Sequence, residues 1–228
     1  MGKTIPLLLG VALGLQTCHA QPAGPVARAA ASDAVELRRL IAAGADVEER
    51  GADGWTPLVW AAHAGRVDSI QVLLASGAAV DGRDHAASRW TPLVHAIHKG
   101  HNAAARALLQ AGADPNAQQA DGATPLMFAA AYGNADVVRE LLDCGADPRA
   151  ETAWGGSALV NAVGGGALFD FTDGPALGAC QPDVVRVLLA RAPDLTLKRG
   201  PWVALARGLG DARGCPEAFA LLEARHRS

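Results

Sequence analysis

The sequence predicts an all-α solenoid, in which short pairs of helices stack side by side along the chain. Two ladders of residues carry this prediction. Four glycines, each followed by alanine, lie 33, 35 and 33 residues apart at Gly44, Gly77, Gly112 and Gly145. In phase with them, a threonine-proline-leucine tripeptide begins at Thr56, Thr91 and Thr124 and is degraded at Ser157. Self-similarity at a fixed period of this size indicates stacked repeats rather than one globular core.

Residues 1–20 have the pattern of a secretory leader. Lys3 supplies a positive start, an apolar stretch follows, and small residues precede a cleavage site after Ala20. The alternative, a buried first helix of the array, is disfavoured because prolines in the segment Gln21–Pro25 interrupt a helix. We therefore expect an exported, periplasmic protein, with residues 21–28 as a linker.

A second alternative for this leader concerns Cys18. The tract Leu15–Cys18 faintly resembles the lipobox of bacterial lipoproteins, in which the cysteine is acylated. Glutamine and threonine are poor residues just before that cysteine. An envelope lipoprotein anchored through Cys18 therefore stays open beside a cleaved leader.

Composition limits the classes of partner. The formal net charge is −3, and removal of Lys3 with the leader would make it −4. Because there is no basic run, a nucleic-acid footprint is absent. After the leader, no uninterrupted apolar stretch approaches the length of a transmembrane helix. Half of the residues are hydrophobic but only 4% are aromatic, which suits thin helical layers that pack closely.

The repeat unit is clearest in residues 121–153. Thr124 is placed to cap a short first helix, and Pro125 follows at the first helical position, where its missing N–H costs nothing. Asp136 begins a second helix whose apolar residues recur at helical spacing. Gly145 then suits the left-handed conformation that ends a helix. Such a unit cannot bury its apolar face alone and needs neighbours on both sides.

These motifs resemble the ankyrin repeat, most closely in Trp55–Ala62 and Ala123–Ala130. The resemblance covers about residues 27–228. It implies stacked helix-turn-helix units with β-hairpin-like turns, and partner binding through hairpin tips and the concave side of the first helices. We expect a repeat domain over residues 29–228 with about six units including caps: about 29–52 (a partial unit), 53–87, 88–120, 121–153, 154–199 and 200–228.

The fifth unit departs most from this pattern. Thr124 to Asp136 spans 12 positions, whereas the equivalent Ser157 to Asp183 spans 26, so the fifth unit contains 14 additional residues. We place this insertion at residues 165–180. Insertions in solenoids often map to the binding face, although aromatic residues there, such as Phe169, could equally fold back on the array. The third unit also carries two extra residues, between Asp84 and Trp90.

Three cysteines follow the leader. Cys144 is beside a capping glycine, and we expect it to fill a small buried position. Cys180 and Cys215 each precede the second helix of their unit, and in an oxidising compartment they could form a disulfide. Adjacent units lie about 8–10 Å apart, so the inserted loop would have to lean toward the cap. Free thiols at both positions are the alternative.

Four histidines invite a metal hypothesis: His63, His95, His98 and His101. Their spacing is that of a repeat rather than of a metal site, and the sequence offers no obvious supporting carboxylate. We interpret His95 as an inward-facing residue and expect no metal and no other cofactor. No nucleophile, base or paired carboxylates are arranged for catalysis, so an enzyme is not expected.

The expected partner-binding surface combines two sets of positions. Tryptophans precede the threonine-proline-leucine motif or its relic, and polar or aromatic residues end the first helices. The set is Trp55, His63, Trp90, His98, Lys99, Tyr132 and Trp202. Residues of these types are frequent among interface hot spots. The alternative is that each tryptophan stacks on its neighbouring hairpin. Trp60 and Phe128 are expected in the core.

The sequence therefore favours a non-enzymatic binding module, expected to be a monomer, that recognises a partner protein in the bacterial periplasm or envelope. Resemblance to exported bacterial ankyrin-repeat proteins suggests stress protection or neutralisation of a toxin-like partner. The alternative function is a small-molecule or metal carrier that uses the histidines and the aromatic insertion.

Overall fold

A computed structural model describes residues 24–51, 54–85, 89–164, 180–197 and 216–223. Within these ranges the chain forms eleven α-helices and one isolated antiparallel bridge, between Glu151 and Ser157. The helices are α1 (Pro25–Ser32), α2 (Ala34–Ala42), α3 (Pro57–His63), α4 (Val67–Ala75), α5 (Pro92–His98), α6 (Asn102–Gln110), α7 (Pro125–Ala131), α8 (Ala135–Asp143), α9 (Ala158–Gly164), α10 (Pro182–Arg191) and α11 (Pro216–Glu223).

The helices form two layers. The inner layer consists of α1, α3, α5, α7 and α9, each packed on the next. The outer layer consists of α2, α4, α6, α8 and α10 in the same order, and α11 packs on α10. Each of the first five units contributes one helix to each layer. The all-α ankyrin solenoid expected from the repeat pattern is confirmed.

The inner helices begin in the same way because their first residues are chemically equivalent. The hydroxyls of Thr56, Thr91 and Thr124 each accept a hydrogen bond from the backbone N–H three residues later, as the sequence predicted. Ser157 caps α9 in the same manner, so the degraded motif still sets the helix start. Each cap satisfies a backbone donor that would otherwise lack a partner at the helix end.

One buried cluster runs through the stack from α1 to α11. Its most regular members are the leucines that follow each helix start, and all are at most 1% exposed: Leu58, Leu93, Leu126 and Leu159. Complete burial of one leucine stabilises the fold by about 1.5–3 kcal/mol relative to exposure. Since the ladder continues from unit to unit, every unit depends on its neighbours for this burial.

Hydrogen bonds 31 to 33 residues apart also join the units. Glu48 Oε1 accepts from the backbone N–H of Ala79 at 2.8 Å. One unit later, Asp81 accepts from the N–H of Asp114 at 3.1 Å. In the next unit, Asn116 Oδ1 accepts from the N–H of Asp147 at 2.8 Å. These bonds connect successive loops that follow the outer helices.

The first unit is more complete than expected. We predicted a partial unit after a linker of residues 21–28, but α1 begins at Pro25 and supplies a full inner helix. Val26 and Ala27 are buried, which explains why the helix extends toward the N-terminus. Proline is tolerated because it stands at the first helical position, where its missing N–H breaks no bond.

Cys144 is exposed, so the expectation that it fills the core is wrong. It is the C-cap residue of α8 and precedes Gly145, whose φ of 90° reverses the chain direction. The equivalent residues of other units, Ala43, Ser76 and Ala111, are exposed as well. A cap position at the end of an outer helix therefore faces away from the cluster.

Several predictions concern residues that the structure does not describe. They are the leader at residues 1–20 with Cys18, the insertion apart from Cys180, Trp202, and Cys215. Of the expected last unit, 200–228, only residues 216–223 are described. Among the described residues, no helix combines the length and apolar character needed to span a bilayer.

Candidate functional site

Aromatic and histidine side chains form one connected group on the inner layer of units two, three and four. They occupy repeated positions just before the capping threonine and along or just after the inner helix. We call this group the aromatic cluster. Its members are Trp55, Trp60, His63, Trp90, His95, His98, Phe128 and Tyr132.

Trp55 joins the second unit to the third. Its ring centroid lies 4.5 Å from that of Trp60 and 5.0 Å from that of His63, both on α3. It also lies 4.5 Å from the ring of His95 on α5, with an edge-to-face geometry. Such tilted ring contacts are favourable beyond the area that they bury. Trp55 nevertheless stays half-buried, so part of its surface is available to solvent.

Trp90 repeats this arrangement one unit later. Its ring lies 5.3 Å from His95, 4.9 Å from His98 and 5.3 Å from Phe128 on α7. Trp55 and Trp90 therefore pack on rings of their own inner helix and of the next one. Trp90 is also half-buried, so stacking and partial exposure coexist. Trp60 and Phe128 are buried, as predicted.

A carboxylate that the sequence did not reveal supports this cluster. His95 Nε2 lies 3.0 Å from Asp84 Oδ2, and both residues are only 3% exposed. The other oxygen, Asp84 Oδ1, accepts from the backbone N–H of Trp90 at 3.1 Å. This carboxylate was not obvious from the sequence because Asp84 lies in the lengthened hairpin and folds back toward α5.

Two histidines of the cluster, His63 and His95, have lowered pKa values, which favour their neutral form. Burial lowers the pKa of His95, although its hydrogen bond to Asp84 opposes that shift. Burial, followed by electrostatic interactions with His95 and Lys99 among others, lowers the pKa of His63 to about 3. A carboxylate can only accept, so His95 Nε2 carries the proton and Nδ1 is an acceptor. Neither His95 Nδ1 nor His63 Nδ1 has a hydrogen-bond partner.

His98 is 6% exposed, so it is not the surface residue that the sequence suggested. Its Nδ1 lies 2.7 Å from the hydroxyl of Tyr132, which is on the next unit and half-buried. The histidine therefore orients a tyrosine, and the tyrosine provides the accessible surface. The two residues are 34 positions apart, so their contact becomes evident only from the way in which the units stack.

Lys99 is the C-cap residue of α5 and is half-buried. Its charge contributes to the lowered pKa of both His63 and His95, which places it beside the cluster. Tyr132 is the equivalent C-cap residue of α7. Lys99, Tyr132 and His63 thus lie at the same ends of three successive inner helices.

Trp154 is an exposed aromatic residue that the sequence reasoning missed. It is 70% exposed in the hairpin that precedes α9. Two hydrogen bonds close this hairpin, from Thr152 N–H to the carbonyl of Gly156 and from Gly156 N–H to Thr152 Oγ1, both at 2.9 Å. The missing threonine-proline signal in this unit concealed the position of Trp154 relative to the other hairpins.

The histidines are not assembled as a metal site in the described part of the chain. No group of three or more potential histidine, cysteine, aspartate or glutamate ligands lies together there. His95 Nε2 is instead bonded to Asp84, and His98 Nδ1 to Tyr132.

Comparison with known families identifies the class of protein. A family model described as ankyrin repeats matches three overlapping stretches, residues 26–119, 79–152 and 114–199. The chain belongs to the ankyrin repeat family. Ankyrin repeats are generally modules for protein–protein interaction and are typically non-enzymatic. A search of curated proteins finds no match.

Proposed function

We propose that this protein is a non-enzymatic binder of one partner protein, which it contacts through the exposed edge of the aromatic cluster. The observation that carries the proposal is the alignment of half-buried residues on three adjacent units. Trp55 and Trp90 lie at one end of the inner helices, and His63, Lys99 and Tyr132 lie at the other. Large aromatic side chains in such positions dominate the binding energy of many interfaces.

The surface is also held in place before a partner binds. Trp55 and Trp90 each contact three rings, and the ring of His95 is common to both. The hydrogen bond between His98 Nδ1 and the hydroxyl of Tyr132 fixes the position of that hydroxyl. Ordering a flexible side chain on binding costs about 0.5–1.5 kcal/mol, and residues that are already packed avoid much of that cost.

Affinity capture tests this proposal. The bait is the chain from Gln21, incubated with an envelope extract of the source organism. We expect one protein to be retained by the wild type and lost with Trp55→Ala/Trp90→Ala. Because both tryptophans pack on neighbours, Lys99→Glu serves as a second, less disruptive variant. Arg139→Ala on the exposed side of α8 is the matched control.

Two outcomes would count against the proposal. Equal capture by the wild type and by both inner-face variants would exclude this surface and point to the hairpin of Trp154 or the insertion. Loss of capture with Arg139→Ala alone would place the interface on the outer helices. Circular dichroism of each variant separates loss of binding from loss of folding.

We further propose that the protein acts in the periplasm or envelope after removal of residues 1–20, with acylation at Cys18 as the alternative. The same proposal includes a disulfide between Cys180 and Cys215, because the periplasm is an oxidising compartment. Support comes from the state of the described cysteines: Cys180 is not a free thiol, whereas Cys144 is free and exposed. An intact mass of the protein from the envelope fraction distinguishes cleavage after Ala20 from a lipid at Cys18. Two titratable thiols in addition to Cys144 would refute the disulfide.

A carrier of a metal ion or small molecule is the second candidate. Its specific support is the unpartnered Nδ1 atoms of His63 and His95, two nitrogens of adjacent units whose rings lie 5.8 Å apart. The test is metal analysis of the purified chain after incubation with zinc or copper. Stoichiometric metal that is lost with His63→Ala/His95→Ala would favour a metal carrier, and the absence of bound metal would reject a metal carrier.

A further inference from the structure

The inner face has a charge pattern opposite to that of the whole chain. The chain carries a formal net charge of −3. Yet the five inner helices that the structure describes contain no aspartate or glutamate. In segments 54–66, 89–101, 122–134 and 155–164, which contain α3, α5, α7 and α9, every charged side chain is a cation: Arg66, Arg89 and Lys99.

Asp84 is an acidic residue beside this face, and hydrogen bonds within the protein occupy both of its carboxylate oxygens. Asp84 is buried and uses one oxygen on His95 and the other on the backbone of Trp90. Two arginines of the hairpins are likewise occupied by contacts within the protein. Arg50 and Arg83 are each bonded to two backbone carbonyls, so their donors serve the hairpins themselves.

Arg89 and Lys99 lie at opposite ends of α5. Arg89 is exposed and directly precedes Trp90, and Lys99 directly follows the helix. The seven residues of α5 span about 10 Å at 1.5 Å per residue, which sets the scale of the separation. Two cations thus bracket the helix at the centre of the aromatic cluster.

The backbone fixes the position of Arg89. Among the described residues other than glycine, Arg89 alone has a positive φ, at 55°. Three hydrogen bonds maintain this conformation: Asp84 N–H to the carbonyl of Trp90, Trp90 N–H to Asp84, and Arg83 to the carbonyl of Arg89. A non-glycine residue in this region is uncommon and persists where its surroundings determine it.

We propose that the partner presents an acidic segment to this face, with carboxylates that pair with Arg89 and Lys99 and apolar groups that pack on Trp55 and Trp90. This inference rests on the proposed function and specifies the chemistry of its partner. Complementary charge steers association and selects among partners, even where the net charge of the two proteins is of the same sign. Screening at physiological salt acts over about 8 Å, so the local cations outweigh distant acidic residues.

A random 12-residue peptide library displayed on phage, selected on the immobilised full chain, provides the probe. Selected peptides are synthesised, and their affinity is measured by fluorescence anisotropy at low and high salt. The variants are Arg89→Glu, Lys99→Glu and the neutral Lys99→Gln. The matched control is Arg139→Glu, which makes the same charge reversal on the outer helix α8. Trp55→Ala/Trp90→Ala reports whether a peptide uses the inner face at all.

We expect acidic peptides whose affinity falls roughly tenfold with either inner-face charge reversal, less with Lys99→Gln, and little with Arg139→Glu. Their affinity should also fall as salt rises. Neutral or basic peptides that depend on the two tryptophans but not on Arg89 or Lys99 would overturn this inference and leave the proposed function intact. If no selected peptide depends on the tryptophans, the proposed function itself fails.

Discussion

Units two to four and unit five share a backbone plan but differ in the side chains on their inner face. Ser157 caps α9 as Thr56, Thr91 and Thr124 cap the earlier inner helices. Four residues after the cap, however, the rings of Trp60, His95 and Phe128 give way to Asn161. Just before the cap, the tryptophans of units two and three give way to Gly156 in unit five.

Unit five solves the same packing problem by other means. Asn161 is fully buried and its Nδ2 donates to the carbonyl of Met127 at 3.3 Å. A hydrogen bond there connects adjacent inner helices where rings do so in the earlier units. The comparison teaches that a unit with the same cap and leucine can be built without these rings. The rings are therefore a property of units two to four rather than of the repeat, which supports a role for them in binding.

The largest expected effect compares equivalent hairpin residues in the two regions. Asp84→Ala removes the acceptor of His95 and of the Trp90 amide, and we expect the free energy of unfolding to fall by about 3 kcal/mol. Thr152 stands at the same repeat position in unit five and accepts one hydrogen bond, from Gly156. Thr152→Ala should cost about 1 kcal/mol. Urea unfolding of both variants measures the difference. Equal losses would mean that the buried pair of Asp84 and His95 stabilises the fold no more than the single hydrogen bond of Thr152.

The next effect is pH-dependent and specific to the aromatic cluster. The pKa of His63 falls to about 3 in the folded chain, from an unfolded value near 6.5. The unfolded chain therefore binds the proton first, and stability declines as pH falls below about 6.5 toward 3. Burial acts on His95 in the same direction.

Urea midpoints between pH 7 and pH 5 test this effect before the carboxylates titrate appreciably. His63→Gln should reduce the fall in urea midpoint between pH 7 and pH 5. The midpoints of the variant and the wild type should differ less at pH 8 than their slopes with pH would suggest. An unchanged slope in the variant would show that His63 is not among the groups that couple folding to protons.

The smallest expected difference lies in the turns that end the outer helices. Gly112 and Gly145 have φ of 87° and 90°, and an added Cβ would meet nothing within 4 Å at either position. Substitution by alanine should therefore cost about 1 kcal/mol at both, from backbone strain alone. Thermal unfolding of the two variants checks this equality. A much larger cost at one glycine would indicate that the backbone differs between units three and four, which the structure shows as equivalent at these turns.

Local chemistry explains what the sequence could predict. The caps at Thr56 and Thr124, the turn at Gly145 and the burial of Leu58 depend on a few neighbouring residues. The repeat period then places each unit beside the next. These features were sufficient for the fold class and for the inward position of His95.

Contacts between units explain what the sequence could not predict. The pair of Asp84 and His95 depends on the path of a hairpin that is longer than in the other units. His98 is buried because Tyr132, 34 residues later, lies over it. Val26 and Ala27 form part of a helix because the next inner helix covers them. Each of these contacts depends on packing between units, which a local sequence pattern cannot predict.

The most direct test of the account is site-specific photocrosslinking in the source organism. A benzophenone amino acid is placed at position 99 or 132 on the inner face, and at position 139 or 110 on the outer helices as controls. The account predicts a covalent adduct of one defined mass from positions 99 and 132 and none from the outer positions. Adducts from positions 139 or 110, with none from 99 and 132, would contradict a partner-binding role for the aromatic cluster.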